Sequence, residues 1–222
     1  DQRVTELCSD MPMFLAAFGQ SNPFTAPRQL KLHRETIGLR HELASVEAAI
    51  TSPEFVHSLR ETLAAWGVDS RGGKLVPLDE LATNLRSQTQ SLVKVENFRI
   101  DDPEVNLDST VETLWSIIKG LHVSETGSQI VAGSKALHHL LPHLVPPIDR
   151  EYTRTFFQYW SRQFQDNQPQ VFRSIWRSYS KIAAKTNPAQ YISGDGWSTC
   201  ESKILDNAVV GYCIARSVPK LR

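Results

Sequence analysis

The sequence predicts an all-α protein, and three observations carry that reading. Apolar residues recur at three-and-four spacing along most of the chain, the period of one helix face. No run shows the two-residue alternation of a half-buried strand bounded by hairpin turns. Helix start and stop residues also punctuate the apolar runs where helices would begin and end.

Val4 to Phe18 carries Val4, Leu7, Cys8, Met11, Phe14, Leu15 and Phe18 as one stripe, with Pro12 inside it as a helix start or a kink. Gly19 to Pro27 is a connector of turn formers. From Arg28 to Ile50, Leu30, Ile37, Leu39, Leu43, Val46 and Ile50 alternate with Arg, His and Glu. Ser52-Pro53-Glu54 then reads as an N-cap with proline at the first helical position. That helix runs from Pro53 to Trp66 and stops at Gly67. Val68 to Pro77, with Gly72-Gly73, is a loop or a short extended excursion. Pro77 to Leu92 is a helix facing inward through Leu78, Leu81, Leu85 and Leu92. Asp101-Asp102-Pro103 interrupts the chain, and Asp108-Ser109 opens a helix to Gly120 whose face is Val111, Leu114, Trp115, Ile118 and Leu121. A turn-like segment, Ser124 to Ser128, follows. Glu151 to Phe164 and Gln170 to Lys185 are aromatic-rich helices. Ser193 to Ser198 is a loop, and Thr199 to Ile214 the last helix. The organisation expected is one helical domain over residues 1–222, with 1–100 and 101–222 as its two candidate lobes.

The 222 residues are enough for one well-packed domain, and 41% hydrophobic with 22% charged residues excludes a disordered chain. A formal net charge of zero supplies no global field toward nucleic acid or membrane, so such binding would need a local patch. No apolar run is long enough to span a bilayer. Cys8, Cys200 and Cys213 form no CxxC pair and are odd in number, which speaks against a disulfide framework or a zinc knuckle. Asp1-Gln2-Arg3 lacks a signal-peptide pattern, and a cytoplasmic location is the expectation. No phosphate loop, G-x-S-x-G elbow or other cofactor motif is present, so no cofactor is expected.

One stretch, Gly133 to Arg150, concentrates the chemistry. It packs Lys135, His138, His139, His143, three prolines and Asp149 among apolar residues, and each buried polar group there needs a partner. Lys135 to His143 reads as a short helix, Pro146-Pro147 forces an extended approach, and Asp149 stands where the next helix begins. There its carboxylate would cap free backbone N–H groups, either as its sole role or beside a chemical one.

A small-residue turn, Lys135-Ala136 opening a helix, an apolar connector, then Pro147-Ile148-Asp149-Arg150-Glu151-Tyr152-Thr153-Arg154 resembles the core of the helix-hairpin-helix DNA glycosylases. In that family a Gly-rich hairpin and a lysine precede a catalytic aspartate, with an apolar residue three positions on and an arginine five on. Tyr152 and Arg154 stand at those offsets. The resemblance implies a catalytic Asp149 supporting nucleobase excision and a nucleophilic Lys135; on the favoured reading Ser134 and Lys135 meet phosphate, Arg150 or Arg154 orients Asp149, and Ser134, Arg150 and Arg154 belong to the nucleic-acid-binding surface. The hairpin here carries one glycine, Gly133, where the family has two, and no iron–sulfur cysteine cluster is present. The stretch also looks like one in uncharacterised bacterial proteins, which implies no function.

Charge supports a nucleic-acid reading locally. Residues 131–185 hold eight basic residues against three acids, a net +5. Arg173, Arg177 and Lys181 are four apart, one basic edge of a helix suited to phosphate contacts unless acids elsewhere balance it in space. The expected partner is DNA. Two alternatives stand beside it: a non-enzymatic helical interaction protein in which Asp149 only caps, and a metal-dependent hydrolase. The second would use His139 and His143, one helical turn apart, with Asp149 as third ligand; no metal ligands are assigned on the favoured reading.

Overall fold

The computed structural model describes residues 2–70, 73–102, 105–127 and 129–219. Asp1, Gly72, Pro103 and Ser128 of the sequence reading lie outside the described residues. Among the described residues there are 13 α-helices and no strand, so the fold is all-α. The extended excursion near Leu75 amounts to one isolated antiparallel bridge, to Ser124.

The first two helices, α1 (Gln2–Ser9) and α2 (Met11–Ser21), divide the Val4–Phe18 stripe. Asp10 accepts from the Met13 N–H at 3.3 Å and Pro12 sits in the first turn of α2, so the proline starts a helix rather than kinking one. The Arg28–Ile50 segment likewise divides, into α3 (Pro27–Glu42) and α4 (Val46–Thr51), with Ser45 capping the second. Ser52 accepts from the Phe55 N–H at 3.2 Å and opens α5 (Pro53–Ala65), and Gly67, at φ +76°, ends it. Next come α6 (Leu78–Ser87), α7 (Thr89–Val95) and α8 (Leu107–Leu121). The cap of α8 is Asn106, which accepts from Asp108 and Ser109.

The segment α9 (Gln129–Leu140) corrects the reading of the focal stretch in two ways. It begins well before Lys135, so Gly133 and Ser134 lie within a helix and not in a hairpin turn. It ends at Leu140, before Pro142, so His143 is not on it. The short α10 (Tyr152–Phe156) and α11 (Ser161–Asp166), the long α12 (Gln168–Thr186) and α13 (Glu201–Ala215) complete the chain, with a 3-10 turn at Pro188–Tyr191.

Every residue of α13 from Glu201 to Cys213 is buried, the mark of a core helix. One apolar cluster draws on both halves of the chain, from Leu7, Leu59 and Leu85 to Ile148, Ile175 and Val209. The broadest helix pairing sets α13 on α2, and a glycine makes it close. A Cβ at Gly211 would run into the Phe14 carbonyl, whereas a Cβ at Gly133 would meet the Ile118 side chain of α8 at 2.6 Å. Gly38, on α3, has open space around it. Gly211→Ala is therefore expected to cost about 3 kcal/mol through overpacking, while Gly38→Ala gains up to about 1 kcal/mol of helix propensity. Urea unfolding of the two variants measures the contrast, and equal effects would refute the close α2–α13 approach.

Candidate functional site

A cleft of about 100 Å³ opens where six segments meet, lined by Phe24 and Gln29, Trp66, Lys135, the Pro147–Asp149 corner, Trp197, and Lys203 and Asp206 of α13. Lys135 and Asp149, singled out in the sequence, thus share one hollow. The Lys135 Nζ donates to the Trp66 carbonyl at 2.7 Å and lies 6.0 Å above the Trp66 ring. Burial pushes its amine below the usual lysine range, opposed by the Asp149 and Asp206 carboxylates.

Asp149 caps the turn that enters α10. Its Oδ1 accepts from the Glu151 and Tyr152 N–H groups at 2.5 and 2.6 Å, and its Oδ2 accepts from the Thr153 hydroxyl at 3.2 Å. The capping expectation is met, while Oδ2, with one bond, keeps acceptor capacity toward the cleft. Ser134 sits behind this corner. Its Oγ donates to the Val131 carbonyl and accepts from the Ile148 N–H at 3.0 Å, and with no exposed surface it has no face for a phosphate.

The sequence reading passed over the other half of the cleft. Lys203 is buried, and its Nζ donates to Asp206 Oδ2 at 2.6 Å and Asn207 Oδ1 at 2.8 Å. Four rings surround that ammonium: Trp197 at 4.9 Å, Phe24 at 5.1 Å, Phe18 at 5.7 Å and Trp66 at 5.9 Å. Burial pushes Asp206 up, opposed by Lys203. The signal was legible: a helix with apolar residues on every side must be buried, so the charges at positions 203 and 206 and the amide at 207 must find partners inside.

Three histidines lie against the same aromatic wall. His33 of α3 and His138 and His139 of α9 are fully buried, and one ring nitrogen from each lies within 4.8 Å of the other two. His139 Nδ1 is 2.8 Å from the Lys135 carbonyl and His138 Nδ1 is 3.1 Å from that of Val145. His33 Nδ1 lies 3.0 Å from His139 Nε2, and its Nε2 is 2.8 Å from Thr199 Oγ1. Trp66 borders all three rings, at 4.9 to 5.9 Å.

The set His139, His143 and Asp149 is not brought together. His143 bonds Glu201, which Arg99 also holds, beside a second hollow lined by Arg40, His41 and Glu96. Burial pushes Glu201 up, but the bond from His143, a backbone N–H bond and the His143 and Arg99 charges together outweigh it and the carboxyl ends at about 2. The basic edge of α12 is also partly neutralised: Arg173 pairs with Glu112, and Arg177 with Asp108, both acids from α8. These exposed pairs contribute at most about 1 kcal/mol each, yet they cancel charge that a phosphate would need. Arg150 and Lys181 are exposed, and Arg154 bonds Ser161. No described helix is long and apolar enough to cross a membrane. No family model, curated protein or solved structure matches the chain.

Burial holds His33 and His138 well below the ordinary histidine range and His139 at about 4. These are bases whose folded value lies under the unfolded one, so the unfolded chain takes up more protons below about pH 6.5. Stability is then full above that pH and falls as the pH drops. Each buried ring costs about 1.4 kcal/mol at pH 5.5, or about 4 kcal/mol for the three. Urea unfolding at pH 7.5 and 5.5 checks this; equal free energies would show that the rings are not held neutral.

Proposed function

We propose that the cleft receives a single unstacked nucleobase and that the chain acts on DNA in the manner of a glycosylase. The observation that carries this reading is the meeting of Lys135, Asp149 and the Phe24, Trp66 and Trp197 rings in one hollow. Aromatic faces accept any base by stacking, which offsets the cost of drawing it from the helix. Burial lowers the proton affinity of the Lys135 amine, which favours its neutral, nucleophilic form. Its lone pair would bond to C1′ of the deoxyribose as the glycosidic bond breaks. The base leaves with the electron pair of the broken glycosidic bond and takes up the proton that Nζ sheds. The Asp149 carboxylate, beside the amine, stabilises the positive charge that grows on the sugar. Arg150, exposed and adjacent to Asp149 in the chain, is the cation assigned to a flanking phosphate, with Arg154 and Lys181 on the same half of the chain.

A second reading, a non-enzymatic helical interaction protein, is favoured by the two N–H bonds on Asp149 Oδ1, the enclosure of Ser134 and the ion pairs of Arg173 and Arg177. In that case Asp149 caps and does nothing else.

One experiment separates them. Duplex oligonucleotides carrying uracil, alkylated, oxidised or abasic positions are incubated with the protein and reduced with borohydride, and affinity is followed across a salt series. The glycosylase reading expects a covalent adduct that Lys135→Ala abolishes, and a loss of roughly a hundredfold in rate for Asp149→Asn. Absence of any adduct and of salt-sensitive binding sinks it. If Asp149→Asn lowers only the melting temperature, the capping role is the whole of it.

A further inference from the structure

We infer that His33, His138 and His139 form a binding site for a late first-row transition-metal ion, zinc or copper, in the wall behind the cleft. The proposal does not depend on what the cleft itself binds. It uses a different residue set from the His139, His143 and Asp149 grouping, which the fold holds apart.

The spacing is the first argument. A metal bound at about 2.0 Å sits roughly 3.2 Å from an imidazole centroid, so two rings in tetrahedral array have centroids about 5.2 Å apart. The three observed separations are 4.9 Å for His138–His139, 5.2 Å for His33–His139 and 5.5 Å for His33–His138. Three buried rings from two helices rarely meet at that distance for packing alone, because each brings polar nitrogens that need partners.

Proton placement is the second. Val145 O and Lys135 O accept only, and the Ser202 hydroxyl, 2.9 Å from His138 Nδ1, donates to the Pro142 carbonyl, so His138 and His139 carry their protons on Nδ1 and leave Nε2 with a bare lone pair. Metal-binding histidines are commonly oriented this way, the second nitrogen tied to a backbone carbonyl. His138 Nε2 is moreover a buried atom with no hydrogen-bond partner, an acceptor left unsatisfied by the protein. His33 joins by a change of tautomer. Without metal its Nδ1–H donates to His139 Nε2; with metal that proton resides on Nε2 and donates to Thr199 Oγ1, 2.8 Å away, so no net proton is released.

Neutral nitrogen donors in a dry, aromatic-lined site suit zinc and copper rather than calcium or magnesium, which require oxygen. The Lys203 charge nearby is answered by Asp206 at 2.6 Å, which limits its repulsion of the ion. Trp66, touching all three rings and lining the cleft, marks the side from which an ion and any exogenous fourth ligand would arrive.

The test is titration of chelator-treated, folded protein with zinc(II) and, separately, copper(II) salts, read by calorimetry and by nitrogen-15 spectra of the histidine rings. One equivalent of at least one metal is expected to bind, shifting Nε2 of His138 and His139 and Nδ1 of His33. His33→Gln and His138→Gln should weaken binding roughly a hundredfold or more, while His143→Gln leaves it unchanged. The proposal is overturned if neither metal binds, if the three rings do not respond, or if a folded His138→Gln protein binds as the parent does. Should the variants not fold, the ring spectra of the parent protein decide alone.

Discussion

Burying the ammonium of Lys203 is the constraint on which the interior depends. An uncompensated ion taken out of water costs several kcal/mol, and Lys203 is 1% exposed with Asp206 at 4%. The structure answers with a carboxylate at 2.6 Å, an amide oxygen at 2.8 Å and four aromatic rings. Those rings belong to α2, to the connector after it, to the end of α5 and to the loop before α13. Satisfying one charge thus gathers three separate stretches of the chain, and the cleft is the space left between them.

The same wall explains why so much chemistry lies close together. Trp66 accepts the Lys135 amine on its carbonyl, roofs Lys203 with its ring and borders the three buried histidines. Asp149 reaches the cleft only because Pro146-Pro147 turns the chain after α9 and the Thr153 hydroxyl and two backbone N–H groups lock its carboxylate. A carboxylate so fixed can serve both as a cap and as an oriented charge.

Helix identity was legible because apolar periodicity and caps act locally: Ser52-Pro53 and Gly67 bracket α5 as their chemistry requires. Boundaries near 43–45, 88 and 157–160 were not, since one apolar stripe continues across each break and only tertiary packing decides where the axis turns. Asp149 and Lys135 were found from their neighbours in sequence. His33 and Trp66 were not assigned to a site, because their partners lie far away along the chain; Lys203 and Asp206 pair with each other three residues apart, but the rings that surround them come from other segments. Gly133 shows how a local pattern misleads: a small residue beside a lysine reads as a turn, but here its smallness admits Ile118 from the neighbouring helix.

A double-mutant cycle on the buried pair tests the organising role of Lys203 most directly. Lys203→Met and Asp206→Asn are each expected to lose about 3–5 kcal/mol of unfolding free energy, with a coupling between them of about 2 kcal/mol or more. Additive effects, or single losses below about 0.5 kcal/mol, would mean that the aromatic wall stands without the charge it encloses.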